Sequence, residues 1–141
     1  MWAIEIVTSG KLTRFERDLA GAWFRHTGQH MHTAGSDIHV ADPLQATVID
    51  AAFRRFDAAV VETRVAPGDA HLAEYGLALP TLIILFYARD SSAPVARLEF
   101  GAPADRLDRY ARLAPAGAII TVAEFEPRGL IDLLKAVGAG S

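Results

Sequence analysis

The chain has 141 residues, of which 51% are hydrophobic and 22% are charged, a composition typical of a globular domain and not of a disordered chain. It contains no cysteine, which excludes disulfides, thiol catalysis and cysteine-ligated metals. The net charge of −3 gives no basic footprint for nucleic acid, and the longest apolar runs are about half the length of a membrane-spanning helix.

The first half of the chain predicts three short strands, a long polar loop, a helix and one more strand. Alternating apolar residues predict the three strands over 2–7, 12–17 and 22–26. Asp42 as N-cap and Pro43 at the first helical position predict the start of a helix. Its apolar residues recur at spacings of three and four and are expected to form one inward-facing stripe: Leu44, Val48, Ala51, Ala52, Phe53 and Phe56. A β-branched segment over 60–65 predicts a strand after this helix.

The second half predicts a similar series of elements. One or two helical turns over 69–75, ended by Gly76 as C-cap, lead into it. Apolar runs and alternation then predict four strands, over 81–87, 95–100, 108–113 and 118–122. A final helix is predicted over 126–137, with its leucines facing inward.

The two halves, about 1–65 and 77–141, share a strand, strand, strand, helix order. Residues 12–16 occupy about the same place in the first half as residues 95–99 do in the second. Either an internal duplication or two independent meanders would explain this similarity. We predict a single α+β domain over 1–141, with an antiparallel sheet covered on one face by helices.

Four of the five histidines fall within fourteen residues, inside or beside a polar segment over 27–42 that predicts a loop: His26, His30, His32 and His39. In an extended backbone His30 and His32 lie on the same side and can share one ion. His26, His39 and Met31 complete the candidate ligands, since imidazole suits Zn²⁺ and Cu²⁺ and a thioether suits Cu⁺. The sequence predicts one copper or zinc ion as the sole cofactor; a loop that faces a partner or responds to pH, and a passive polar loop, are the alternatives.

Sequence patterns of common enzymes are absent from the chain. There is no Gly-rich phosphate loop and no Gly-x-Ser-x-Gly turn. Glu124 and Glu126 are two residues apart, but Glu126 is explained by the start of the last helix, where the helix dipole favours an acid. We therefore predict a protein that is not an enzyme and has no catalytic residues.

Short motifs in the same order along nearly the whole chain resemble a known family. They lie at 4–6, 12–17, 21–24, 60–62, 75–77 (Tyr-Gly-Leu, followed by Pro80), 98–101 (Leu-Glu-Phe-Gly), 109–112 (Arg-Tyr-Ala-Arg) and 118–134. In these motifs the chain is similar to domain-of-unknown-function family 4340. The resemblance implies a bacterial extracytoplasmic module, usually tethered by an N-terminal membrane helix, and some members stand beside transport components of the gliding-motility type. No catalytic residues are known for the family.

The chain departs from the family pattern in two respects. It lacks the anchor helix, so we expect a native anchor to precede Met1, and its His-bearing loop is longer than is typical. The resemblance implies a location on the periplasmic face of a bacterial inner membrane, with a membrane complex or transporter component as partner and no nucleic acid. Two functions are expected: transition-metal binding through the His-bearing loop, or docking as a structural or assembly subunit of a membrane complex.

Overall fold

The computed structural model describes residues 1–27, 40–68 and 70–138. In chain order its elements are β1 (Ala3–Thr8), β2 (Lys11–Arg17), β3 (Trp23–His26), α1 (Pro43–Asp57), β4 (Val61–Ala66), a 3-10 helix (Leu72–Tyr75), β5 (Leu82–Tyr87), β6 (Ala96–Pro103), β7 (Asp108–Ala114), β8 (Ile119–Ala123) and α2 (Phe125–Ala136). Each predicted strand and both predicted helices are present. The segment predicted as one or two helical turns over 69–75 contains the 3-10 helix.

All eight described strands form one antiparallel sheet in the order β3-β2-β1-β5-β6-β7-β8-β4. β1 and β5 lie side by side, and each begins a meander that runs outward, β1-β2-β3 on one side and β5-β6-β7-β8 on the other. β4 comes from the first half of the chain but pairs with β8 at the far edge of the second meander. The predicted α+β class with an antiparallel sheet is confirmed, and the internal duplication stays a prediction.

One buried cluster joins alternate residues of the strands to both helices. β1 contributes Ile4 and Ile6 to it, and α1 contributes Ile49 and Phe53. Further members come from β2, β5, β6 and α2: Phe15, Leu82, Ile84, Phe100, Leu130, Leu133 and Leu134. Because side chains alternate between the faces of a strand, this pattern leaves the intervening residues on the opposite face of the sheet.

Helix α1 begins as the sequence predicts. The side chain of Asp42 accepts a hydrogen bond of 2.8 Å from the backbone N–H of Gln45, and Pro43 occupies the first helical position. Leu44 and Val48, at the start of the predicted apolar stripe, are exposed, whereas Ile49 is fully buried. The buried face of α1 is therefore the side that carries Ile49 and Phe53.

Charged pairs hold the face of the sheet that is opposite the helices. Glu99 on β6 is 3% exposed. It accepts a hydrogen bond of 2.7 Å from Nε of Arg112 and forms an ion pair with Arg97 at 2.8 Å. A buried carboxylate is tolerated when such partners satisfy it. On the same sheet the ring of Tyr110 meets the ring of Tyr75 edge to face at 5.0 Å, so the 3-10 helix packs against β7.

Within the described ranges, neither helix is long and apolar enough to cross a lipid bilayer.

Candidate functional site: an aromatic pocket beside helix α1

An open pocket of about 450 Å³ lies between the second half of α1 and the sheet, and we call it the aromatic pocket. Its wall consists mainly of apolar side chains from α1, β5, β6 and β8: Phe53, Phe56, Phe86, Leu98, Phe100 and Ile120. Phe86, Leu98 and Ile120 pack against the core while part of their surface stays exposed. The two helices therefore leave an apolar part of the sheet incompletely covered.

Ring contacts fix the wall of the aromatic pocket from behind. Phe53 meets Phe15 edge to face at 5.4 Å between ring centroids and meets Trp23 in the same way at 4.9 Å. Phe56 lies 6.2 Å from Phe100. Edge-to-face pairs of this kind stabilise one arrangement of the rings beyond the effect of burial alone, so the wall is formed before any ligand arrives.

Arg17 occupies one end of the aromatic pocket with its charge already engaged. Its guanidinium carbon lies 4.3 Å from the centroid of the Trp23 ring. Its Nε donates to the backbone oxygen of Met1 at 3.2 Å, and its Nη1 donates to the backbone oxygen of Gly21 at 2.6 Å. The guanidinium is thus directed at the protein's own ring and carbonyl groups.

Three carboxylates line the aromatic pocket, and they differ in their partners. Asp50 accepts a hydrogen bond of 2.6 Å from Nε of Arg54, one turn later in α1. Asp57 in the last turn of α1 and Glu126 in the first turn of α2 have no hydrogen-bond or ion-pair partner among the residues that the structure describes. Glu126 is half-buried, and burial raises the pKa of its carboxyl group.

Glu124 has the opposite environment although it is only two residues from Glu126. Its two carboxylate oxygens accept hydrogen bonds from Nε and Nη2 of Arg109, at 2.7 Å and 3.0 Å. The hydrogen bonds from Arg109 lower the pKa of Glu124. Glu124 is therefore a structural partner that joins β7 to α2, whereas Glu126 faces the aromatic pocket.

A second cavity of about 450 Å³ surrounds the pair of Arg109 and Glu124. Its wall is more polar and includes Thr8, Thr81 and Lys135. The charges of the pair neutralise each other, so this cavity offers a ligand no free charged group from that pair. The aromatic pocket is the better candidate site, because it combines apolar surface with a carboxylate that has no partner in the described part of the chain.

The structure describes one of the five predicted metal ligands. His26 lies at the end of β3, where its Cα pairs with that of Arg14 on β2. His30, Met31, His32 and His39 lie outside the described residues, so the predicted copper or zinc site stays a prediction. Among the described residues, there is no group of three or more histidine or acidic side chains that could hold a metal ion.

The sequence did not point to the aromatic pocket, and it assigned Glu126 to the helix dipole alone. The available signal was weak: Phe53 and Phe56 are three residues apart in α1, a spacing that equally suits a fully covered helix face. The gap between helix and sheet depends on where α1 crosses the strands, which no local pattern specifies.

A scan against protein-family models, a search of curated proteins and a search of solved structures each return no match.

Proposed function

We propose that this chain is a binding domain without catalytic function, and that the aromatic pocket takes up an apolar ligand. The observation that carries the proposal is the incomplete cover of the sheet, where Phe86, Leu98 and Ile120 remain partly exposed beside α1. A concave apolar surface that is open to water gains free energy when a ligand covers it.

The size and the rigidity of the aromatic pocket favour a small ligand. Its volume of about 450 Å³ falls within the range of small-molecule sites, roughly 300–1,000 Å³. The ring contacts of Phe53 with Phe15 and Trp23 hold the wall in place, so little ordering opposes binding. Each methylene that a ligand buries contributes about 0.8 kcal/mol, which is about a fourfold change in Kd.

The resemblance of the sequence to family 4340 supports a setting for this binding. In the proposal the domain is an extracytoplasmic accessory module, and its ligand or partner belongs to a membrane complex or transporter.

Docking as a structural or assembly subunit is the second candidate function, and the edge strand β4 favours it. Val61 and Val65 on β4 and the preceding Val60 are exposed at the open edge of the sheet. Exposed β-branched residues on an edge strand suit pairing with another chain.

Fluorescence of N-phenyl-1-naphthylamine, a neutral probe that brightens in apolar sites, tests the proposal. We expect saturable binding to the folded chain, with displacement by hexanol, octanol and decanol in order of increasing affinity. Each pair of added methylenes should strengthen displacement about fifteenfold until the pocket is full. A response that does not saturate, or one without dependence on chain length, would overturn the proposal.

Variants that fill the aromatic pocket with larger side chains show whether the probe binds there. Leu98→Trp and Ile120→Phe place extra volume inside the aromatic pocket and should weaken probe binding at least tenfold. Leu107→Phe adds a ring at an exposed residue that is not part of the wall and should leave binding unchanged. Thermal unfolding of each variant identifies one that fails to fold, and two independent fillers keep the test decisive. Unchanged binding in both folded fillers would exclude the aromatic pocket as the site.

A further inference from the structure

We infer that the aromatic pocket selects a cationic amphiphile, a ligand with an apolar tail and a single ammonium head, and that Glu126 binds the head. This inference rests on the proposed function and names the ligand class of the same site. Its basis is a difference between the acidic and basic groups around the pocket. Arg17 and Arg54 each have a hydrogen-bond partner within the protein, whereas Asp57 and Glu126 have none in the described part of the chain.

The guanidinium groups at the aromatic pocket are engaged within the protein. Arg17 donates to the backbone oxygens of Met1 and Gly21, and Arg54 donates to Asp50. These partners already balance part of the positive charge, and the side chain of Arg54 is largely exposed, so water screens what remains of it. The two carboxylates without partners therefore favour a cationic head over a carboxylate or phosphate head.

The carboxylate of Glu126 is placed to receive a cation. It lies in the first turn of α2, and the apolar rings of Phe53 and Phe56 line the same pocket. It is half-buried and has no partner among the described residues. Partial removal from water raises the energy of an ionised carboxylate, and a cation that arrives with an apolar tail relieves this cost.

Asp57 adds a second negative charge at the same pocket. It is exposed in the last turn of α1, and it too lacks an ion pair within the described ranges. Because water screens an exposed charge, we expect Asp57 to add little to the affinity for a bound cation. Its charge acts mainly on the rate at which a cation approaches the pocket. Glu126 is expected to be the group that touches the ammonium head, with Asp57 contributing less.

Three ligands with one tail and different heads test the inference: decylamine, decanol and decanoate, each measured below its micelle concentration by displacement of N-phenyl-1-naphthylamine at pH 7. We expect decylammonium to bind about fivefold to tenfold tighter than decanol, and decanoate to bind more weakly than decanol. Decyltrimethylammonium, whose charge does not depend on pH, should retain part of the preference.

Variants assign the preference to its residue. Glu126→Gln should reduce the preference for amine over alcohol to less than twofold while decanol affinity stays the same. Glu74→Gln, a matched change in the exposed part of the 3-10 helix, should alter neither affinity. A preference that survives Glu126→Gln and disappears only in Asp57→Asn would overturn the assignment to Glu126.

The same data separate failure of the inference from failure of the proposed function. If decanol and decylamine bind equally and Glu126→Gln changes neither, the apolar site stands and the inference is wrong. Tighter binding of decanoate would also overturn the inference alone. If neither decanol nor the probe binds saturably, the proposed function is wrong, and the inference is wrong with it.

Discussion

Arg109 on β7 and Glu124 at the start of α2 form a two-point ion pair, with hydrogen bonds of 2.7 Å and 3.0 Å between guanidinium and carboxylate. Arg109 also donates to the backbone oxygen of Gly101 at 2.8 Å. Both side chains of the pair are about four-fifths buried, and parallel hydrogen bonds of this kind are stronger than a single contact. The pair therefore anchors the start of α2 to strand β7.

Replacing Glu124 with glutamine should make stability depend less on pH. We expect Glu124→Gln to lower the free energy of unfolding by about 1–2 kcal/mol at pH 7, because it removes a charge-assisted pair and leaves Arg109 partly unsatisfied. The pKa of Glu124 is lowered in the folded state, so its contribution is present above the unfolded value near 4.5 and is lost as pH falls through the folded value.

Urea unfolding of both proteins between pH 7 and pH 3 checks this expectation. The difference between wild type and variant should be constant from pH 7 to about pH 5 and should narrow below about pH 4.5. Glu74→Gln serves as the exposed control and should match the wild type throughout. A difference that grows as the pH falls would contradict the role given to the pair.

Tyr87 should lose its proton at a higher pH than an ordinary tyrosine does. Its hydroxyl donates a hydrogen bond of 2.6 Å to Glu5, and burial together with this bond raises its pKa. A raised pKa in the folded state means that the contribution of Tyr87 is present below the unfolded value near 10 and is lost as pH rises through the folded value.

Absorbance at 295 nm, which reports phenolate, measures this titration directly. The folded protein should show a titration step above the ordinary tyrosine value near 10, and Tyr87→Phe should remove that step. The variant should also cost about 1 kcal/mol at pH 7, since Glu5 keeps the hydrogen bond of 2.9 Å from Arg14. If Tyr87→Phe instead removed a titration step near pH 10 and kept the higher step, Tyr87 would not be the residue with the raised pKa.

Local features of this fold were predictable from the sequence, and contacts between distant segments were not. Apolar alternation identified the strands, and the Asp42 and Pro43 signals located the start of α1, because both depend on neighbouring residues only. The pairing of β4 with β8 joins residues about 60 positions apart, and alternation assigns residues to faces without saying which strands are neighbours.

The candidate site was harder to predict for the same reason. Its wall takes Phe56 from α1, Phe86 from β5 and Ile120 from β8, each of which reads as an ordinary core residue in its own segment. Leu44 was predicted to face inward, yet it is 81% exposed. At about 3.6 residues per turn it lies on roughly the opposite side of α1 from the buried Phe53.

Gly76 should tolerate no side chain. It ends the 3-10 helix with φ 69°, and a Cβ built there would lie 2.5 Å from the backbone nitrogen of Ala102. Gly76→Ala therefore combines backbone strain with a clash against β6, and we expect a loss of about 3–4 kcal/mol. Gly10→Ala is the matched control, because Gly10 has φ 72° but no atom within 4 Å of a Cβ, so only the strain of about 1–2 kcal/mol applies.

Urea unfolding of the two glycine variants separates strain from clash. Equal losses would mean that the approach of Ala102 contributes nothing, and that the Tyr-Gly-Leu motif needs glycine for its backbone angle alone. A larger loss at Gly76 would show that the motif also fixes how closely this segment packs on the sheet.

The histidines that are clustered in the sequence are expected to bind a metal ion. In an extended backbone, residues two positions apart such as His30 and His32 place their side chains on the same side, so the sequence predicts that a single Cu²⁺ or Zn²⁺ ion binds both imidazoles. We expect calorimetric titration of either metal into metal-free protein at neutral pH to show one ion bound per chain with a Kd below about 1 μM. The double variant His30→Ala/His32→Ala should lose this binding, whereas His71→Ala, at an exposed histidine beside the 3-10 helix, should keep it. Below about pH 6 the affinity should fall, because protonated imidazole cannot coordinate a metal. Binding that the double variant retains, or that does not weaken on acidification, would exclude these histidines as the ligands.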